Sequence, residues 1–275
     1  MSYLNKNKPK LAVIGAGKMG EGIISGFLKS GEYKPQEIQA FEILESRRKY
    51  ISQTYNVKCV GEAKEAASFA DLTIVAVEPR HVKTALTQIV PAMKPGKIVV
   101  SIAAGVTLEF LTKYLPKDVP VVRVMPNITC RVREAMIVVC PSENTKKEEL
   151  EMVMSTLSLL GHVIKLDERY LNLATGLVGS GPAYIYVIIE ALADAGVRLG
   201  LPKDVSILLA AQTTLGAARM VVETGEHPAK LKDMVATPGG TTVEGLLALE
   251  EGRIRAVIIK AVTEAAEKAK RLQSA

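Results

Sequence analysis

Cysteine, histidine and aromatic residues are all scarce in this chain, and each scarcity removes a class of function. The three cysteines, Cys59, Cys130 and Cys140, are odd in number, scattered and never in CxxC spacing, which argues against a disulfide framework or a zinc site. His81 and His162 lack acid or metal-spaced partners in sequence, and His227, beside Pro228, reads as structural, so no metal site is expected. Aromatic residues make up 4%, too few to supply the stacking platforms of single-strand binders. The net charge of +6 sits largely in Lys6, Lys8 and Lys10 and in Lys268, Lys270 and Arg271, so nucleic acid is not an expected partner. Long hydrophobic runs are missing too: none approaches the roughly 18 to 20 uninterrupted apolar residues of a membrane span. The polar opening MSYLNKNKPK lacks the apolar stretch of a secretory signal. The expectation is a soluble, cytoplasmic protein with no membrane partner and reduced thiols.

What is present has a clear order. In the first 165 or so residues, apolar runs of strand length recur at Leu11–Gly15, Ile38–Phe41, Leu72–Val77, Ile98–Ile102, Val119–Val124 and Met136–Val139, several with helix-like stretches between them. Near-continuous apolar strands belong in a parallel sheet covered on both faces, so the fold class is α/β with a doubly wound, Rossmann-type sheet over residues 1–165. From 166 to 275 the pattern is all helical: Pro182–Gly200, Lys203–Gly225, Ala229–Ala236, Thr242–Glu250 and Ile254–Leu272. Within it, Tyr184–Ala195 is apolar on nearly every face and must be buried all round. A segment this short has limited means to bury such a helix alone, which predicts a homodimer through the helical half, with intertwined helices.

Two glycine-bearing stretches carry the chemistry. Gly15, Gly17 and Gly20, with Ala16, Lys18 and Met19 between them, follow an apolar strand and open a helix, so backbone N–H groups reach a pyrophosphate at the positive helix end. GxGxxG alone is weak, since glycines also close turns with no ligand, but the strand and helix around it strengthen the reading. Glu42 ends the second strand about 20 residues on, where an acid accepts the adenosine ribose hydroxyls and favours NADH. Arg47 and Arg48 lie nearby, as either 2′-phosphate ligands or solvated helix cations, which leaves NADPH or NADH open with a lean to NADH. Three further strand ends join the crevice: Ala76-Val77-Glu78-Pro79, Ser101-Ile102-Ala103-Ala104-Gly105 and Met125-Pro126-Asn127. The second stretch, Thr237-Pro238-Gly239-Gly240-Thr241-Thr242, lies between two helical patterns and offers N–H groups and hydroxyls to a small carboxylate. Taken alone, an ordinary helix N-cap explains it better.

The chain resembles the pyrroline-5-carboxylate reductase family over nearly its whole length. The likeness rests on IGAGKMG, AVEP at 76–79, SIAAGV at 101–106, GSGPAY at 179–184, ETGEHP at 223–228 and KDMVATPGGTTVEGL at 232–246, the last three being the specific ones. The resemblance implies reduction of 1-pyrroline-5-carboxylate to L-proline by NAD(P)H, the last step of proline synthesis. It also implies a helical dimerisation domain and, in many members, a pentamer of dimers. By resemblance Thr242 is the hydroxyl that hydrogen-bonds the imine nitrogen, and Gly239, Gly240 and Thr241 bind the substrate carboxylate, with Thr237 on the approach side. Ala76, Val77, Pro79, Ala103, Ala104 and Asn127 join the glycine turn and Glu42 as cofactor contacts. If the helices pair between chains, the two cradles of one active site come from different subunits.

The sequence also departs from the family. Where members continue MPN with Thr-Pro and later a glycine pair, this chain has Ile128-Thr129 and then Arg131-Val132-Arg133-Glu134-Ala135, which puts that loop's contacts in doubt. Members that prefer NADPH often carry a small hydroxyl residue near the end of strand two, where Glu42 stands here. Two other readings are weighed. A β-hydroxyacid dehydrogenase would need a lysine on the first long C-terminal helix, and PAYIYVIIEALADAG has none. A dinucleotide-sensing regulator would need no second cradle.

Overall fold

The computed structural model describes residues 8–273, and Lys6 lies outside the described residues. Within them the chain divides into two compact units: one runs to Ser180 and takes in the chain again from Glu264, and the other is Gly181–Thr263.

The first unit alternates strands and helices: β1 (Leu11–Ile14), α1 (Lys18–Lys29), β2 (Ile38–Phe41), α2 (Glu45–Tyr55), β3 (Lys58–Val60), α3 (Ala63–Phe69), β4 (Leu72–Val75), α4 (Val82–Ile89), β5 (Ile98–Ser101), α5 (Leu108–Lys113) and β6 (Val121–Met125). Then follow β7 (Ala135–Pro141), α6 (Lys147–Leu157), β8 (Gly161–Lys165) and the short α7 (Leu171–Ala174), which runs into a π-helical turn at Thr175–Gly179. The strands form one eight-stranded sheet in the order β3-β2-β1-β4-β5-β6-β7-β8. Pairing is parallel except between β6 and β7, where Val124 faces Val139 in an antiparallel ladder. The Rossmann expectation thus holds with two strands, β7 and β8, reversed at one edge.

Alternation along each strand splits the core in two. Leu11, Val13, Leu72, Ile74, Val122 and Val124 meet Ile23, Ile24 and Phe27 of α1 and Val153 and Leu157 of α6. The neighbouring residues Ala12, Ile14, Val75, Val99 and Val121 meet the alanines of α3, Leu86 and Ile89 of α4, and Leu111 of α5. Every residue of β1, β4 and β5 is buried, as a sheet covered on both faces requires. The sequence reading omits β3 and β8. Both lie at the sheet edges, and their exposed or half-buried residues break the apolar run used to find the others.

The strand pattern ends at Lys165, where the sequence places its domain boundary, yet the compact division comes at Ser180. Residues after β8 stay on the sheet because Leu171 packs with Met125, Val138 and Cys140. The guanidinium of Arg123, buried on β6, donates to Glu168 Oε1 at 2.8 Å and to Asn172 Oδ1 at 2.7 Å. Glu168 Oε1 also accepts the Leu108 N–H at 2.7 Å. A buried arginine needs such partners, and here they pin the start of the helical region to the strand.

The second unit holds α8 (Gly181–Arg198), α9 (Lys203–Thr224), α10 (Pro228–Val235), α11 (Thr241–Glu251) and the first part of α12 (Ile254–Gln273). Gly196 lets α8 approach α9, since a Cβ there would sit 2.8 Å from Ser206 Oγ. Tyr184 Oη donates to the Ala261 carbonyl at 3.3 Å, tying α8 to α12. Tyr184–Ala195 is not buried all round within one chain: among its residues only Ala193 is buried, while Tyr186 and Val187 are 58% and 64% exposed. In α9, Leu208 and Val222 are 67% and 81% exposed. By length and composition, two helical stretches, Glu168–Arg198 and Lys203–Thr224, are apolar enough to cross a membrane.

Candidate active site

The strand ends of the first unit stand in a row at one edge of the sheet, linked by backbone hydrogen bonds. Gly15 N–H donates to the Phe41 carbonyl (2.9 Å), Ala76 N–H to Ile14 (2.8 Å) and Ile102 N–H to Val75 (3.0 Å). Between β1 and β4 the chain order reverses, and a crevice at such a switch point is where α/β sheets bind ligands. Each glycine of the turn has its own reason there. Gly15 has φ +100°, and a Cβ would meet Val77 Cγ1 at 2.8 Å. Gly20 admits no Cβ either, because one would overlap the Gly15 carbonyl oxygen. Gly17, the N-cap of α1, is exposed with nothing within 4 Å of its Cβ position. A turn closed on the protein side at two glycines and open on the solvent side at the third fits a pyrophosphate over the helix N-terminus.

Around this turn the sequence-derived residues gather unevenly. Glu42 directly follows β2, its carboxylate on the turn, where it accepts Ala16 N–H at 3.2 Å and also Leu44 N–H at 3.1 Å. Ala76 and Val77 lie against Gly15 and are half-buried, while Lys18 and Pro79 are exposed. Met19 packs on the core formed under α1, Ala103 is buried, and Ala104 is half-buried. Asn127 is only 9% exposed, and its side chain is already engaged: Nδ2 donates to the Val178 carbonyl at 3.1 Å and Oδ1 accepts from Thr129 Oγ1. It joins the end of β6 to the π-helical turn.

The altered loop, residues 128–135, begins with a 3-10 turn, Ile128–Val132, that packs on α1. Gly22 and Gly26 make room for it, since a Cβ on Gly22 would meet Cys130 Sγ at 3.2 Å and one on Gly26 would overlap the Cys130 carbonyl. From this loop Arg131 reaches Glu21 Oε1 at 3.4 Å. Glu21, which sequence reasoning missed, follows Gly20 directly and is 6% exposed. Its carboxylate binds the Arg47 guanidinium and accepts from Tyr55 Oη at 2.7 Å and Tyr50 Oη at 3.2 Å. Burial pushes its pKa up, but the hydrogen bonds from Tyr55 and Arg47 outweigh that and hold it below the usual carboxylate range. No sequence signal marks this cluster, whose members come from three separate segments, α1, α2 and the loop after β6. Ile43 and Leu44, exposed at 76% and 62%, were also missed and present apolar surface beside Glu42.

The second cradle has a well-defined backbone. Gly240 N–H donates to the Thr237 carbonyl at 2.9 Å, closing a tight turn in which Gly239 takes φ +69°. A Cβ on Gly240 would overlap Thr237 Oγ1. Gly240 is also the N-cap of α11, without a side-chain cap bond, so Thr241 and Thr242 are the first two helical residues. Their hydroxyls are therefore not the capping groups that the loop alone suggested. The N–H groups of Thr241 and Thr242 are the ones this helix start offers to a carboxylate, since those of Gly240 and Val243 are already engaged by the Thr237 and Gly240 carbonyls. Thr242 is half-buried and Thr237, Gly239 and Thr241 are exposed.

Burial pushes the thiols of Cys59 and Cys130 up to about 11 and raises that of Cys140. Among the described residues no group of three metal-ligating side chains comes together.

Comparison with known proteins places both halves. Residues 168–272 match the family model described as pyrroline-5-carboxylate reductase dimerisation, and residues 10–105 match that described as NADP oxidoreductase coenzyme F420-dependent. The pyrroline-5-carboxylate reductase of Methanosarcina acetivorans is 39% identical over 96% of this chain and 97% of its own. The solved structure of the Coxiella burnetii pyrroline-5-carboxylate reductase superposes with a TM-score of 0.86 at 34% identity, covering 97% of this chain and 99% of that one. The Plasmodium falciparum pyrroline carboxylate reductase, solved with NADP bound, gives a TM-score of 0.87 at 28% identity over 97% of this chain and 99% of that one.

Proposed function

The chain belongs to the pyrroline-5-carboxylate reductase family, an oxidoreductase that uses NAD(P)H to reduce the C=N bond of 1-pyrroline-5-carboxylate to L-proline, and from that premise we propose the roles of its residues. The observation that carries the assignment of roles is the pair of shaped glycine turns, each at a helix N-terminus.

Gly15, Gly17 and Gly20, with the backbone of Ala16, Lys18 and Met19, would hold the dinucleotide pyrophosphate. Ala76, Val77, Pro79, Ala103 and Ala104 would flank the nicotinamide half. When bound, the reduced nicotinamide supplies the hydride. The cyclic imine is already electrophilic once protonated, so alignment is most of what the residues must provide. The N–H groups at the start of α11 would take the substrate carboxylate, with Thr237 shaping the turn. Thr242 Oγ1 would hydrogen-bond the imine nitrogen and hold its proton. A threonine hydroxyl has no pKa suited to bulk proton exchange, so solvent is the ultimate proton source. Glu42 favours NADH, because a 2′-phosphate brought beside its carboxylate would meet like charge.

The exposed apolar faces of α8 and α9 would be the surfaces on which two copies meet, consistent with the dimerisation description matched over 168–272. On this reading they are protein interfaces rather than membrane spans, and the enzyme is a soluble cytoplasmic dimer that assembles further into a pentamer of dimers. Sedimentation distinguishes two chains from ten.

The test of the catalytic assignment is steady-state oxidation of NADH and NADPH with synthetic pyrroline-5-carboxylate. Thr242→Ala is expected to lower kcat about 100-fold, the scale of losing one transition-state hydrogen bond, with cofactor Kd unchanged. Wild-type kcat in that variant would remove Thr242 from the mechanism.

A further inference from the structure

The cluster around Glu21 lies behind the cofactor turn, and the roles assigned above leave it without one. A carboxylate that is 6% exposed is costly unless ionic partners compensate it, and this one has two guanidinium groups and two phenols. Arg47 does more than neutralise it. While bound to Glu21 Oε2, its Nε donates to the Ala16 carbonyl at 2.8 Å, so one side chain bridges the glycine turn from residue 16 to residue 21. Its guanidinium also stacks 4.8 Å from the Tyr50 ring centroid. Arg47 is on the first turns of α2, just beyond Glu42, where a cation would meet a 2′-phosphate. The neighbouring Arg48 directs Nη1 to the carbonyls of Glu42 and Ile43, each at 2.8 Å.

We propose that Glu21 is a positioning residue that sets cofactor preference: by holding Arg47 against the glycine turn it withholds that cation from a 2′-phosphate, leaving Glu42 to accept ribose hydroxyls. The proposal rests on the reading of residues 15–20 as the dinucleotide cradle. It differs from a direct contact because Glu21 acts only through Arg47.

Calorimetric titration of NAD⁺ and NADP⁺, without substrate or turnover, tests it in the wild type and in E21Q, R47A and E21Q/R47A. In E21Q the ratio of NADP⁺ to NAD⁺ affinity is expected to rise about tenfold, the scale of one charge-assisted hydrogen bond. In the double variant the rise disappears. R47A alone weakens both nucleotides alike, because it loosens the turn but removes no phosphate ligand. An unchanged ratio in E21Q overturns the proposal, as does a rise that survives in the double variant. If E21Q fails to fold, R47A decides alone: equal weakening supports the proposal, and selective loss of NADP⁺ overturns it. A wild-type chain that binds neither nucleotide would instead bring down the cradle reading itself, and it would do so before any variant is compared.

Discussion

The two units of the chain handle apolar surface in opposite ways. In the α/β unit, Leu11, Ile14, Leu72, Ile74 and Val100 are fully enclosed, and both faces of the sheet are covered by helices of the same chain. In Gly181–Thr263 the apolar residues are as frequent along α8 and α9, yet Val187, Leu208 and Val222 are mostly exposed and only a few small side chains such as Ala193 and Ala210 are buried. The first unit is complete as one chain, whereas the second has the composition of a core without the burial of one. Apolar area of this extent on a folded helix marks an interface. The proposed dinucleotide site accordingly sits on an enclosed scaffold, and the proposed substrate turn sits on a unit that needs another surface.

The largest effect should come from testing that contrast directly. Val187→Arg combined with Leu208→Arg places two charges where a second chain would bury them, and is expected to weaken self-association by at least about 100-fold, measured by sedimentation equilibrium. Activity should fall with assembly, while NAD⁺ binding, which depends on the first unit, persists. A variant that still associates and turns over would show that these faces meet nothing, and the contrast would fail.

Ion pairs sharpen the comparison next. Arg123→Met roughly keeps the buried volume but removes the guanidinium that donates to Glu168 Oε1 and Asn172 Oδ1, and should cost about 2–4 kcal/mol in urea unfolding. In the helical unit, Arg219→Ala removes an i,i+4 pair whose side chains are 69% and 64% exposed, and should change stability by less than about 0.5 kcal/mol.

Glycine replacements then separate fold from ligand within one motif. Gly20→Ala drives a methyl group into the Gly15 carbonyl and should destabilise the α/β unit by about 1–3 kcal/mol. Gly17→Ala meets nothing in the protein, so its unfolding free energy should move by less than about 1 kcal/mol while NAD⁺ affinity drops, because the methyl group occupies the side open to the pyrophosphate. Equal effects on stability would mean that the turn is shaped by packing alone. Gly239→Ala in the helical unit should cost about 1 kcal/mol for its positive φ without any clash.

How much of this was legible in the sequence follows the same division. The central strands were found because a doubly covered strand must be apolar at every position, and helices α8 to α12 were placed to within a residue or two by their periodicity and by Pro228 and Gly225 at their ends. The edge strands β3 and β8 escaped because exposed residues such as Lys58 and His162 carry no such demand. In the glycine turn the three glycines could be read as a motif, but their separate jobs could not, since those depend on Val77 and on the Gly15 carbonyl folding back over Gly20. The role of Asn127 was hidden for a similar reason, as its partner, the Val178 carbonyl, is brought close only by the fold. Glu21 was invisible because an acid in the first turn of a helix ordinarily complements the helix dipole in solvent, and only the fold brings Arg47, Tyr55 and Arg131 around it.

The smallest expected effect is the acid limb of stability, and it belongs to the α/β unit. Burial raises the pKa of Glu21, yet Tyr55 and Arg47 lower it further, and Glu37 is likewise depressed when the hydrogen bonds from Lys8 and the Lys34 backbone outweigh its burial. A carboxylate with a depressed folded pKa binds fewer protons folded than unfolded between the two values. Its contribution is therefore fully present above the unfolded pKa of about 4.3 and is lost as pH falls through the folded value. Stability of the α/β unit, followed by urea unfolding from pH 6 downward, should hold to about pH 5 and then decline. In E21Q that decline should be shallower, since one of the two protonations no longer contributes. An identical slope in wild type and variant would mean that Glu21 gains nothing from its charge in the folded state, and that its four partners serve packing rather than electrostatics.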